Sequence, residues 1–272
     1  MLTNNQSLIL TTHNKEFLIS DVLHGIKKHT EGTYELIIVI DGCDDKTPEL
    51  VNQFKKDNPN MEIILTDAPD VFETKANNIG LRLASSEISI IIQDDMVMTE
   101  QGWNTRLTKP FREFDDVFGV SANCAHNWEL NPNSKHKLLS ENNNHEWSDI
   151  LNHVDHANKK TINRDTFGIR QCVNRGPLAV NHSDIVKLGL FDEIFAPQDM
   201  DDHDLCFRMQ EEIGKVVGCY LIDFNCNPIW GGTRVNGKVS PWLLESNQKN
   251  TRHILSRHEN KIINKIIENR IC

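Results

Sequence analysis

The sequence predicts an α/β protein: a single Rossmann-like, mostly parallel sheet flanked by helices, followed by a C-terminal helical tail. Two observations carry this. First, near-continuous Ile and Val runs alternate with amphipathic stretches of ten or more residues, the pattern of strands covered on both faces. Second, acids stand at the ends of those runs (Asp41, Asp94 and Asp95), where open α/β sheets gather their ligands.

The elements follow in order. "SLILTTH" reads as a strand and "EFLISDVLHGIKKHT" as an amphipathic helix. "YELIIVID" is a second strand, and "TPELVNQFKKDNP" a helix opening on a threonine cap with Pro48 at its first position. "MEIILTD" is a short strand, "VFETKANNIGLRLAS" has helical spacing, and "ISIIIQDD" is the fourth strand. The middle changes character. From about residue 127 to 165 the chain is rich in Asn, His and Lys and reads as a long loop insertion, with one short helix around "EWSDILNHVDHANKK". Regular structure resumes with "GPLAVNHSDIVKLGLFDE", a strand and then a short helix, and "DDHDLCFRMQEEIG" is a further helix. "KVVGCYLIDF" reads as one strand, and "LLESNQKNTRHILSRHENKIINKIIENR" as a polar-faced helix packing back onto the domain. The organisation expected is one domain: residues 1–120 as a first half, 121–230 as a second half carrying the insertion, and 231–272 as the tail helix.

Composition narrows the function. At 272 residues the chain can bury a full core. A formal charge of -10 argues against nucleic-acid binding, which needs a concentrated basic surface. Seven cysteines show neither a CxxC pair nor a zinc-ligand rhythm, so free thiols in a reducing compartment are expected. The apolar runs are too short for a signal peptide or a membrane span, which predicts a cytoplasmic protein and leaves a peripheral membrane contact open. The composition says nothing of oligomeric state.

Three acidic clusters hold the chemistry. In "VIDGCDDKTPE", Asp44 and Asp45 suit turn and cap roles. Asp41 closes a strand, where its carboxylate can accept from a base N–H or a ribose hydroxyl. In "IIIQDDMVM", Asp94 and Asp95 would repel one another unless something positive lay between them or beside them. Oxygen ligands alone suit Mg2+ or Mn2+; the plainer reading is a solvated turn. In "APQDMDDHDLCFR", Asp204 and Arg208 form an i,i+4 pair, and an aspartate among Asp201 and Asp202 can be held rigidly enough to deprotonate a hydroxyl, while another caps the helix. A cation-bound diphosphate at Asp95, a nucleoside at Asp41 and a base at Asp202 together describe glycosyl transfer. Lys75 and the arginines Arg170 and Arg175 are candidates for sugar phosphates, and either arginine can instead pair with Asp201 or Asp204.

"IIVIDGCDDKT", "KANNIGLRLAS" leading to Gln93-Asp94-Asp95, "GPLAVNHSDIVKLGLFDEIF" and "MDDHDLCFRM" occur in an order that resembles the family 2 glycosyltransferases, inverting enzymes of the GT-A fold, over about residues 5 to 225. The resemblance implies a nucleoside-diphosphate sugar donor, UDP by default, and Mn2+ or Mg2+. Asp95 is the implied metal ligand, with Asp94 beside it and Gln93 in place of the first acid of the pattern. Asp202 is the implied base, with Asp201 in the glutamate position next to it. It implies a glycan, protein or lipid-linked acceptor. A histidine that many relatives carry after the base helix has no counterpart in "CNPIWGGTRVNG", and His253 and His258 are expected on the surface of the tail. Two other readings stand beside this one: a catalytically silent nucleotide-sugar- or glycan-binding module on the same scaffold, favoured by Gln93, and a nucleotidyltransferase, disfavoured by a glycine-free "LILTTHNKEF".

Overall fold

Strands that are apolar at successive positions must be covered on both faces, and the nine-stranded sheet of the computed structural model is covered in this way. The structure describes residues 5–130, 147–155, 162–227, 229–231, 241–262 and 264–272. Strands β1 (Gln6–Thr12), β2 (Tyr34–Asp41), β3 (Glu62–Ala68) and β4 (Ile88–Gln93) pair in parallel in the order β4-β1-β2-β3. Helices α1 (Ile19–His29), α2 (Thr47–Asp57) and α3 (Phe72–Leu83) connect them. The two-residue period of the strands sorts their side chains. Leu8, Leu10, Leu36, Ile38, Ile90 and Ile92 pack with Val22 and Ile26 of α1, while Ile9, Ile37 and Ile91 turn to the opposite core with Leu81 of α3.

The cap of α2 differs in detail from the expectation. Asp45 Oδ1 accepts from the Thr47 N–H at 2.9 Å, and the Thr47 hydroxyl instead accepts from the Lys15 N–H at 2.7 Å. Asp45 Oδ2 also takes the Glu16 N–H at 2.9 Å. The loops after β1 and β2 are therefore stitched together at the edge where both strands end.

The rest of the sheet is mixed. β6 (Val117–Ser121) runs in the same direction as β4, reached through the short helices α4 (Trp103–Leu107) and α5 (Lys109–Glu113), and β11 (Leu178–Asn181) inserts between them antiparallel to both. β11 arrives from the insertion and not from a crossover helix, so nothing obliges it to be parallel. β12 (Val216–Cys219) lies parallel to β6 and antiparallel to β9 (Thr166–Arg170), which carries β14 (Glu268–Ile271) at the sheet edge. Sequence periodicity gave no sign of β14, whose residues are mostly polar.

The insertion holds a second sheet, β10-β7-β8, made of β7 (Cys124–Leu130), β8 (Trp147–Asp155) and β10 (Cys172–Asn174). The helix expected at "EWSDILNHVDHANKK" is thus a strand over Trp147–Asp155, with residues 156–160 of that stretch outside the described residues. Pairing with β7 overrides a weak helical spacing of Ile150, Leu151 and Val154. "KVVGCYLIDF" is likewise divided. β12 stops at Cys219, and β13 (Phe224–Cys226) pairs with β5 (Met96–Met98) in a separate ribbon.

On the face of the sheet opposite α1 lie α6 (His182–Lys187), α7 (Asp201–Glu212) and the tail helix α8 (Pro241–Ile262), whose Ile254, Leu255 and Ile262 share a core with Leu205 and Phe207. His258 is not a surface residue: it is buried at 2.9 Å from Asp204 and stacks on Phe207. Among the described residues no helix is long and apolar enough to cross a membrane.

Gly80 sets the approach of α3 to β1, since an added Cβ would stand 2.4 Å from Ile9 Cγ2. Gly80→Ala is expected to destabilise by about 1–3 kcal/mol through overpacking. Denaturant unfolding checks it as a lower midpoint at unchanged slope; an equal or higher midpoint would mean that the helix can move away freely.

Candidate functional site

β1, β2 and β4 end on one edge of the sheet and bring Thr11, Thr12, His13, Lys15, Asp41 and Gln93–Asp95 around a pocket. Phe72 and Glu73 of α3, with Trp242 and Leu243 of α8, complete its wall. The adjacent acids after β4 have different surroundings. Asp94 is held on both oxygens, by Lys15 Nζ at 3.1 Å and by the His13 N–H at 3.0 Å. Lys15 itself is 1% exposed and donates to the Trp230 carbonyl at 2.7 Å. Asp95 Oδ1 is buried and finds no hydrogen-bond partner among the described residues. Burial, and after it the neighbouring Asp94, push the Asp95 carboxyl above its ordinary range, with Lys15 pulling the other way.

An orphaned carboxylate oxygen is costly to bury and is what a hard cation takes. Among the described residues no group of three or more His, Cys, Asp or Glu forms a metal site by itself. The residues therefore fit a Mg2+ or Mn2+ ion held at Asp95 and otherwise by phosphate oxygens and water, the usual company of Mg2+.

The other expected residues divide between wall and support. Asp41 lines the pocket, and its carboxylate accepts the N–H groups of Val71 at 2.7 Å and Phe72 at 2.9 Å, fixing the entry to α3. Gln93 donates to Glu73 Oε1 at 2.6 Å. Glu73 faces Arg175 Nε at 3.2 Å, and the same guanidinium binds Asp201 and lies over the Phe191 ring. Arg175, expected at sugar phosphate, thus has its charge taken by two carboxylates. Asp201 is fully buried and lines neither pocket described here, which makes it a support for Arg175 and not a group that meets substrate. Lys75 also lines neither pocket; its charge, behind those of Arg82 and the Asn78 amide, helps hold the Glu193 carboxyl low against the effect of burial. Arg170 reaches the carbonyls of Ile169 and Glu268 and secures β14.

A second pocket adjoins the first and shares Glu73, Gln93 and Gln198 with it. Asp202 lies on its wall at the start of α7. Its Oδ2 accepts the Arg175 N–H at 3.1 Å, and its Oδ1 accepts the His203 N–H at 2.9 Å and faces His203 Nδ1 at 2.9 Å. Burial alone would raise this carboxyl, but His203 and Arg175 outweigh it and hold Asp202 well below the usual carboxylate range. Behind it, His203 Nε2 lies 2.7 Å from His126 Nε2, and His126 Nδ1 lies 3.5 Å from Cys124 Sγ.

Sequence reasoning did not single out Lys15, Glu73, Asp199, His126 or Trp242 for the site. Lys15 sits three residues past the end of β1, close enough to the strand tip that its position could have flagged it. Glu73 and His126 acquire their places only through packing. Trp242 meets Phe72 edge-on at 5.3 Å, and its counterpart region at residues 232–240 lies outside the described residues.

Asp199 lines the second pocket with φ of +80°, a backbone region that asparagine also accepts. Burial first, and then Asp202 and Asp201, raise its carboxyl from 3.8 to about 6, against the pull of His203 and Arg175. A raised carboxyl means that the folded state binds the proton more tightly, so stability falls as pH rises through about 6. Asp199→Asn, which is never charged, is expected to raise Tm at about pH 7.5, with the gain vanishing near pH 4. Paired thermal melts at the two pH values check this, and a gain of equal size at both would place its origin elsewhere.

The profile of the family described as Glycosyl transferase family 2 matches residues 7–175. A search of curated proteins gives no match. Among solved structures, GalNAc-T7 with UDP, GalNAc and Mn2+ superposes with a TM-score of 0.63 at 13% identity, over 96% of this chain and 51% of that one. S. aureus TarS gives 0.58 at 13% identity, over 95% and 42% respectively. Glucosyl-3-phosphoglycerate synthase from Mycobacterium tuberculosis, in complex with Mn2+, UDP and phosphoglyceric acid, gives 0.57 at 15% identity, over 94% and 78%. This chain therefore spans about half, or less, of the first two. At such identities the likeness is one of fold, and the fold is GT-A. With the family profile covering more than half of its length, the chain belongs to glycosyl transferase family 2.

Proposed function

We propose that the chain transfers a sugar from a nucleoside-diphosphate sugar to an acceptor hydroxyl, with inversion at the anomeric carbon. One observation supports this above the others. Two pockets meet at a common wall, with the orphaned oxygen of Asp95 on one and the buried carboxylate of Asp202 on the other. Donor and acceptor would then face each other across Glu73, Gln93 and Gln198.

In this reading the first pocket takes the nucleotide. Asp41 lines this pocket, where its carboxylate would meet a base N–H or a ribose hydroxyl. Phe72 and Trp242 offer aromatic surface at the same wall. Asp95, with Asp94 fixed beside it by Lys15, would hold Mn2+ or Mg2+. Such an ion, when bound, neutralises charge that builds up on the departing diphosphate. Asp202 would take the proton of the acceptor hydroxyl as that oxygen attacks the anomeric carbon opposite the leaving group. Its two N–H contacts fix the carboxylate against rotation. UDP is the default nucleotide carried by the family resemblance, and the acceptor is a glycan, a protein or a lipid-linked sugar.

A silent binding module is the second reading, favoured by the amide at Gln93 and, among the described residues, by the lack of any group of three or more His, Cys, Asp or Glu that could hold a metal. A nucleotide-sugar panel separates the two. Nucleoside diphosphate release is expected from one donor, stimulated by Mn2+, and reduced by about 10²–10⁴-fold in Asp202→Asn. Donor affinity should be unchanged in that variant and weakened in Asp95→Asn only when metal is present. Tight donor binding without release in the presence of acceptors supports a nucleotide-sugar-binding module, and no binding of any donor, with or without metal, rejects the transferase and leaves a glycan-binding module.

A further inference from the structure

We propose that the second pocket selects a neutral, polyhydroxylated sugar as acceptor and turns away acceptors bearing phosphate or carboxylate, with Gln198, Asp199 and Asn247 as the recognising side chains. The inference rests on the transferase reading above and narrows its acceptor.

Charge is the first ground. Glu73, Asp199 and Asp202 line the pocket against a single cation among the described residues, Arg175. That guanidinium is already engaged by Glu73 and by the buried Asp201. The field in the pocket is therefore negative, and an anionic acceptor would bring like charge into a partly desolvated space, which opposes its binding.

Hydrogen-bonding capacity is the second ground. Five carboxamides share the lining: Gln93, Asn123, Asn174, Gln198 and Asn247. An amide donates from one end and accepts at the other, as a hydroxyl does from one atom, so neighbouring hydroxyls of a sugar ring can be satisfied in both senses. Part of this capacity is unspent. Asn247 Oδ1 is buried without a hydrogen-bond partner among the described residues, and Gln198 and Asp199 line the same pocket. The loop that bears them is held rigidly, because the Asn250 amide donates to the carbonyls of Phe195, Gln198 and Asp199. Recognition groups are thus in place before a ligand arrives, which lowers the entropic cost of binding.

The third ground is what the lining lacks. Among the described residues no aliphatic or aromatic side chain lines this pocket, whereas the first pocket has Phe72, Trp242 and Leu243. An acyl chain or an apolar peptide side chain would find nothing to cover it.

The test is NMR titration of the isotope-labelled full chain. UDP and GDP, each with Mg2+, are first titrated against the backbone signals of Thr12, Asp95 and Trp242, which examines the donor reading by itself. With nucleotide present, methyl glycosides of glucose, galactose, mannose and N-acetylglucosamine are then titrated, each against its 6-phosphate or uronate counterpart. Side-chain amide signals of Asn123, Asn174, Gln198 and Asn247 report the second pocket. At least one neutral glycoside should shift them, with its anionic counterpart bound at least about tenfold more weakly. Asp199→Asn should reduce that discrimination to about threefold or less, and Asn247→Ala, at a residue that lines the second pocket and not the first, should weaken the neutral glycoside while leaving nucleotide titration unchanged. Anionic probes that bind as tightly as neutral ones overturn the proposal, as does silence of the amide signals towards every neutral glycoside while nucleotide binds. Absence of nucleotide binding alone, with the glycoside preference intact, would count against the transferase reading and leave the pocket assignment standing.

Discussion

The ion-paired arginine at the loop before β11 is the contact on which the rest of the site depends. Arg175 reaches Glu73 at the start of α3 and Asp201 at the start of α7, and its own N–H bonds Asp202. Two helices that approach the sheet from different parts of the chain are thereby tied to a single side chain. Desolvating an arginine and an aspartate costs several kcal/mol for each ion, and the attraction between them offsets that only with close geometry and further partners. The structure supplies those partners as Glu73 and the face of Phe191. Removing one charge from such a buried group leaves the others uncompensated, which is why the same atoms that stabilise the fold also hold Asp202 in place.

Adjacent acids divide their labour in the same way at both pockets. Asp94 and Asp95 are neighbours in sequence, as are Asp201 and Asp202. In each pair the first member is neutralised by a buried cation, Lys15 or Arg175. The second faces a pocket. Two free carboxylates side by side would raise each other's pKa and depopulate the charged form. Pairing one of them internally leaves its neighbour facing the pocket, on a backbone that the first member helps to fix.

The tail helix takes part in this arrangement directly. Its Asn250 bonds the loop before α7, and its His258 and Arg257 reach Asp204 behind the α7 N-terminus, where Arg208 also binds. Burial acts to raise the Asp204 carboxyl, yet those three partners bring it down to about 2. Trp242 and Asn247 then stand on the walls of the first and second pockets. Residues far apart in the chain thus close both sides of one site.

The alternation of apolar runs and helices in the first third of the chain was sufficient to determine β1–β4, α1–α3 and the edge at which Asp41, Asp94 and Asp95 collect, because parallel strands buried on both faces write their hydrophobicity locally. The order of motifs was likewise sufficient for the family. Elements whose residues are set by a partner were not legible. β8 follows its pairing with β7 against a weak helical spacing, and β14 is polar and exists only as an edge to β9. The same limit applies within the site. Sequence placed Asp201 beside Asp202 and left Arg175 between a sugar phosphate and a pairing with Asp201 or Asp204; the meeting of α3, α7 and the loop before β11 joined it to Asp201 and added Glu73, which sequence had not singled out. Sequence spacing positions a carboxylate along the chain; which cation neutralises it depends on distances between elements that only tertiary packing creates.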